Sequence, residues 1–194
     1  MPEMDNKVRN QIINAALQIF ARYGFRKTTM DDIAKKSNRA KSSLYHYFSS
    51  KEDIFKAVVE KEGNILRSAV LNAIAKKKLP TDKLRVYVKT RMEALNRMAN
   101  IYNAFQDEYL ENYKFIQSLR SQYDNFEIET IKKILKQGID QGIFKIDDLH
   151  LTAFTIVIGM KGLEYYWATE KDMRRLNRNI DTLFDLLFNG IQKR

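Results

Sequence analysis

The chain carries proline at only two of its 194 positions, Pro2 and Pro80. Proline removes an amide donor and collides with the preceding turn, so it is the residue that most reliably interrupts a helix. Nothing of that kind stands between residues 3 and 79 or after residue 80. Within both stretches the apolar residues recur at three- and four-residue steps, as Ile12, Ile13, Ala16, Leu17, Ile19 and Phe20 do, and strand-like alternation is absent. The pattern predicts an all-α protein. The sequence has no Cys, which excludes a disulfide scaffold and thiolate-held metals and fits a reducing compartment. No apolar run approaches the roughly 18 to 20 residues of a membrane span, and residues 1–9 are polar and charged. The expected setting is the cytoplasm, away from any membrane.

Capping signals divide the first half. A helical stripe over 8–23 ends at Gly24, a C-cap candidate. Thr29 is placed to cap a short helix over 30–37, whose first turn holds Asp31 and Asp32 where the helix dipole favours acids. Asn38 tolerates the left-handed conformation of a tight turn, and a third helix over 40–47 follows. Two short helices joined by a brief turn make a helix-turn-helix. Ser49 and Glu52 read as a capping box opening a fourth helix that runs to about residue 75. At 1.5 Å per residue this helix would span roughly 37 Å, a lever between two parts of the chain. Gly63 within it reads as a flex point, or as a glycine tolerated at about 1 kcal/mol. The run Lys76-Lys77-Lys78-Leu79-Pro80 marks a boundary, beyond which helical stripes resume.

Charge is concentrated where the short helices lie. The net charge is +10, and residues 22–51 hold eight cations against the two acids Asp31 and Asp32. A basic segment of this kind permits a polyanion partner, and the residues between the charges narrow the choice. In the third helix Leu44 and Phe48 stand four apart as the inward pair, leaving Lys41, Ser42, Ser43, Tyr45, His46 and Tyr47 to point outward. Lys and Ser hydrogen-bond base edges, whereas the Tyr hydroxyls, His46 and Lys51 suit phosphate oxygens. A hydrolase pair of Ser43 and His46 lacks a nucleophile-elbow motif. A competing possibility is an all-helical interaction protein whose basic segment meets polyanions or acidic partners without operator specificity. Tyr and His alternating in a short capped helix argue against it, because a membrane-surface helix exposes a larger apolar moment.

The residues Thr28-Thr29-Met30-Asp31-Asp32-Ile33-Ala34, then Lys41-Ser42-Ser43-Leu44-Tyr45-His46-Tyr47-Phe48, then Ser50-Lys51-Glu52 resemble the N-terminal signature of TetR/AcrR-type transcriptional regulators. The resemblance covers roughly residues 12–55. It implies a homodimer whose paired helix-turn-helix units bind a pseudo-palindromic double-stranded operator, most often as a repressor, and a C-terminal domain whose small effector releases the DNA. It assigns phosphate-positioning roles to Thr28, Thr29, Tyr45, Tyr47 and Lys51, and a major-groove position to Arg39, Lys41, Ser42 and Ser43. The resemblance thus implies a DNA-binding domain over 1–55, a connecting helix over about 50–75 and a ligand-binding and dimerisation domain over 76–194. Two departures stand at the turn. Where the family commonly has Gly, an apolar residue and a Ser or Thr cap, this chain has Asn38, Arg39 and Ala40. Ala40 cannot cap, at a typical cost of about 1 kcal/mol. Arg39 is able to read guanine or to hold a phosphate.

In the second part, Tyr102, Phe105 and Tyr109 recur at helical spacing. With Met92, Met160, Tyr123, Phe126 and Trp167 they are candidates to line a flexible apolar pocket for a lipophilic or aromatic effector. Glu164, three residues from Lys161, reads as its ion-pair partner, a dimer contact or an orienting group for the effector. Residues 149–160 are apolar all round, so this helix needs cover on several sides, one of them from a second copy. Phe154, Ile158 and Gly162, with Leu183, Phe184 and Leu187 of the last helix, are the candidate dimer surface. Asp107, Glu108 and Glu111 read as a solvated face, and Asp147, Asp148 and His150 as a helix start. No Gly-rich phosphate loop or dinucleotide fingerprint is present. Neither enzyme activity, a metal nor a cofactor is expected.

Overall fold

The structure, a computed structural model, describes residues 2–98, 114–169 and 172–189, with side chains except at 2–4, 115, 119–120, 163–169 and 189. The described residues form eight helices: α1 (Pro2–Lys27), α2 (Met30–Lys36), α3 (Lys41–Tyr47), α4 (Lys51–Ala75), α5 (Pro80–Arg97), α6 (Lys114–Asp140), α7 (Leu149–Thr169) and α8 (Met173–Asn189). No strand occurs among them. The helix expected over 101–110 lies outside the described residues. By its contacts the chain divides into two compact units, one holding Met1–Asn64 and Met98–Arg120 and the other Ile65–Arg97 and Ser121–Arg194. The division falls inside the unbroken helix α4, one residue after the buried Gly63, and again inside α6, between Arg120 and Ser121.

In the first unit the helix borders follow local chemistry. Helix α1 begins at Pro2, several residues before the expected start, because proline at the first helical position loses no hydrogen bond. Gly24 breaks it, with φ 76° and ψ 166°, a conformation an L side chain resists. Thr29 caps α2 through a complete box with Asp32, its Oγ1 accepting from the Asp32 amide at 3.2 Å while Asp32 accepts from the Thr29 amide at 2.9 Å. Ser50, not Ser49, caps α4, its hydroxyl accepting from the Asp53 amide at 3.1 Å. Ile12, Ala16 and Phe20 of α1, Ile33 of α2, Leu44 of α3 and Ile54 and Val58 of α4 are fully buried. The Phe55 ring meets Phe20 edge-on at 4.9 Å and Phe25 at 4.8 Å. Each of these larger side chains, Ala16 aside, contributes about 1.5–3 kcal/mol by leaving water.

The second unit centres on α5, whose buried face reads Leu84, Tyr87, Val88, Arg91, Met92 and Leu95. Arg91 is an arginine on an apolar stripe, and α6 supplies its partner. The buried Glu127 carboxylate accepts from Arg91 Nε, from Nη2 at 3.4 Å and from the Tyr87 hydroxyl at 3.0 Å. Burial pushes the Tyr87 phenol well above its ordinary range, so it stays neutral and donates. On the other side of α5, Arg85 bonds Asp181 at 2.7 Å and Asp185 at 3.2 Å, Lys89 reaches Asp181 at 2.9 Å, and the Arg85 guanidinium lies 5.4 Å from the Phe184 ring. Two residues past the end of α6, Gly142 (φ 69°) turns the chain, the Ile143 amide returning to the Gly138 carbonyl and the Gly142 amide to Ile139. Gly138 does a different job: a Cβ there would sit 2.0 Å from the Phe144 ring. Asp148 caps α7, accepting from the Leu151 amide at 2.8 Å.

Candidate functional site

The turn between α2 and α3 is set by Asn38, the one non-glycine residue with positive φ (54°) among the described residues. Amides of Ser37, Asn38 and Arg39 return to the carbonyls of Ile33, Lys35 and Ala34, which fixes the path from α2 into α3. Ala40 occupies the N-cap position without a side-chain bond, as its methyl requires. Seven residues are too few for a helix to hold itself in water, so α3 depends on packing. Leu44 is its one fully buried residue and Phe48 follows as a buried C-cap. Lys41, Ser42, Tyr45 and His46 are exposed, and Ser43 and Tyr47 half-buried. The outward row is therefore polar and aromatic throughout.

Neighbouring elements aim several of these side chains, which periodicity alone does not show. Arg39 Nη2 donates to Gln11 Oε1 on α1 at 3.0 Å. Lys41 pairs with Asp31 of α2 at 2.9 Å, a bond that raises the lysine pKa and keeps it charged. The Tyr47 hydroxyl donates to Asp5 at 3.1 Å, and the Arg9 guanidinium lies 4.9 Å over the Phe48 ring. Helix α1 thus holds the end of α3 through Asp5 and Arg9, and the turn before it through Gln11. Lys51 Nζ donates to the carbonyls of Phe25 and Thr28, each at 3.0 Å, and lies 4.4 Å over the Phe25 ring. Thr28 is buried, its hydroxyl donating to the Gly24 carbonyl at 2.8 Å, while Thr29 is exposed. Beside the turn, Gln11, Asn14, Ala15, Gln18, Lys36, Ser37, Asn38 and Arg39 line an open polar cleft of about 630 Å³.

In the second unit the candidate pocket residues separate. Met92, Tyr123 and Met160 are buried. Phe126 lines an open groove of about 490 Å³ with Leu71, Ile74, Lys83, Asn125, Glu129, Thr130, Lys133, Ile134 and Gln137. Tyr102, Phe105 and Tyr109, and the side chains of Glu164 and Trp167, lie outside the described residues. Lys161 pairs with Asp124 of α6.

Over residues 149–162, where side chains are described, helix α7 is covered on one side while apolar residues on other sides stay exposed. Ala153, Val157 and Met160 are buried, whereas Leu151, Phe154 and Ile158 expose 57, 44 and 49% of their surface. Gly159 and Gly162 face open space. On α8, Leu187 is exposed and Leu183 half-buried. Phe184, expected in the seam between copies, is instead buried against Arg85 and Phe188, because α5 and α8 pack through it.

Residues 12–58 match the family model of the bacterial regulatory proteins of the tetR family. The HTH-type transcriptional regulator YfiR of Bacillus subtilis is 33% identical over 150 residues, 74% of this chain and 71% of YfiR. The chain belongs to the TetR family. It is a transcriptional regulator with the family's helix-turn-helix head. The TetR-type match extends beyond the head. IcaR of Staphylococcus aureus, a negative regulator of the biofilm operon icaADBC, is 28% identical over 142 residues, 65% of this chain and 75% of IcaR. FadR of B. subtilis, solved with stearoyl-CoA, shares the fold over 94% of this chain and 98% of its own, with a TM-score of 0.76 at 22% identity. These relatives are regulators, not enzymes. No helix among the described residues is long and apolar enough to cross a membrane.

Proposed function

We propose that this TetR-family regulator is a repressor that binds a pseudo-palindromic operator as a homodimer and is released by a small lipophilic effector. The observation that carries the reading is the α2–turn–α3 unit. Leu44 and Phe48 anchor α3 inward while Lys41, Ser42, Tyr45 and His46 stand in solvent beside Ser43 and Tyr47. In this reading Lys41, Ser42, Ser43 and Arg39 meet base edges, and Thr29, Tyr45, His46 and Tyr47 meet phosphates. Ala40 brings the backbone of the helix start close to the DNA. Thr28 and Lys51 act from behind, through the carbonyls that they hold.

The exposed stripe of Leu151, Phe154, Ile158 and Gly162 on α7, with Leu183 and Leu187 of α8, is the surface for a second copy. An apolar stripe of this kind, left in water on a regulator that reads a two-fold site, is explained by a partner that covers it. A lipophilic effector is supported by the aromatic and methionine content of the second unit and by FadR, a structural neighbour solved with stearoyl-CoA. Repression is supported by IcaR, a negative regulator. Effector binding in the second unit would be transmitted along α4, which runs unbroken across the division between units.

The test is binding to the protein's own upstream intergenic DNA at physiological salt with excess nonspecific competitor, repeated with Tyr47→Ala. A competitor-resistant complex that the substitution weakens at least tenfold supports the reading. Complete titration by competitor, for this DNA and for a library of genomic fragments, contradicts it.

A further inference from the structure

Arg39 and Lys41 flank Ala40 at the entrance to α3, and both are cations in reach of hydrogen-bond acceptors, yet their anchors differ in kind. Lys41 is matched by the carboxylate of Asp31, which compensates its charge. Arg39 is held by the neutral amide oxygen of Gln11 at 3.0 Å, twenty-eight residues away on α1. A neutral acceptor fixes the guanidinium without cancelling its charge. Arginine carries five N–H donors on a planar fork, and one bond to Gln11 leaves the others for a second partner. Gln11 and Arg39 also form part of the rim of the polar cleft beside the turn, and both side chains are exposed. Arg39 stands where the family pattern commonly has an apolar residue.

We propose that Arg39 reads a guanine in the operator and that Gln11 is the positioning residue that sets this preference. The inference rests on α3 entering the major groove of the operator. A free arginine side chain samples many rotamers and contacts bases and phosphates alike. Pinned at Nη2 by α1, its fork keeps one orientation, and the two-donor match to guanine O6 and N7 becomes the favoured contact. Gln11 touches no base in this arrangement. It acts through Arg39, and its removal changes which base is chosen more than how tightly DNA is held.

The experiment is selection of bound sequences from a randomised duplex library by the full-length protein, with Arg39→Ala, Gln11→Ala and Gln11→Glu in parallel and thermal unfolding as a folding control. Wild-type protein is expected to favour G at a symmetric pair of positions by about five- to a hundredfold, the range of a good two-donor contact. Arg39→Ala abolishes that preference and leaves the other positions intact. Gln11→Ala reduces it at least threefold at the same two positions. Gln11→Glu, whose carboxylate accepts the same bond, restores the preference while lowering overall affinity through its added negative charge. An unchanged profile in Gln11→Ala, or a uniform loss at every position, overturns the role of Gln11. An unchanged profile in Arg39→Ala overturns the guanine contact. A wild-type protein that selects no sequence overturns the operator reading itself, and this proposal with it.

Discussion

Lys51 illustrates how one side chain serves the fold from within a DNA-binding signature. Its ammonium caps two carbonyls at the bend after Gly24 and lies over Phe25, so it ties the α4 start to the end of α1. Charge-assisted bonds of this kind are worth about 1.5–3 kcal/mol. Lys51→Met is accordingly expected to lower stability by about 1–3 kcal/mol, read as a fall of several degrees in the unfolding midpoint. An unchanged midpoint would return Lys51 to a purely phosphate-facing role. Much at this scale was legible beforehand. Asn38 in a left-handed turn, Thr29 as a cap and Leu44 with Phe48 facing inward all follow from local chemistry and spacing. The anchors Asp5 and Gln11 were not legible, because their partners Tyr47 and Arg39 lie 42 and 28 residues away and no periodicity links them. Arg91 did leave a signal, a charged residue on the apolar stripe of α5, although nothing local named Glu127 as its partner.

Among the elements, α3 is the most dependent on its neighbours. Leu44 is its one fully buried residue, so Leu44→Ala should cost about 2–5 kcal/mol and loosen the reading surface itself. Chemical denaturation measures the first effect and loss of competitor-resistant DNA binding the second. The α5–α8 pairing is held by charge as well as packing. Lys89, and next Arg85, keep the Asp181 carboxyl below its ordinary 3.8 through hydrogen bonds to the charged form. A carboxylate with a lowered folded pKa stabilises above its ordinary value, and that contribution disappears as pH falls through the lowered one. Asp181→Asn is therefore expected to destabilise the protein at pH 7, with the difference from wild type closing as pH falls below 3.8, as followed by thermal unfolding across that range. A constant difference at all pH values would remove the charge from the explanation. The helix borders were legible where a cap or glycine stood, as at Gly142. The start of α1 was misplaced because residues 2–7 carry no stripe, and Pro2 as a first-turn residue was the available signal.

At the scale of the whole molecule, the uncovered stripe on α7 is what the single chain leaves unexplained by its own packing. Sequence placed Phe184 of α8 on the same candidate surface, and the fold turns it toward α5 instead. Ile158→Glu puts a charge on an exposed position, so one chain folds as before while a pair of chains does not form. Sedimentation velocity should show a monomer with unchanged circular dichroism, and operator affinity should fall at least tenfold. A stable dimer would move the interface elsewhere. The central claim, that two copies present paired α3 helices to successive major grooves, meets its most direct test in hydroxyl-radical footprinting of the wild-type protein on its selected operator. Two protected patches related by a dyad, with centres roughly 34 Å apart along the duplex or a multiple of that, are the predicted result. A single patch, or uniform protection that slides with fragment length, would contradict it.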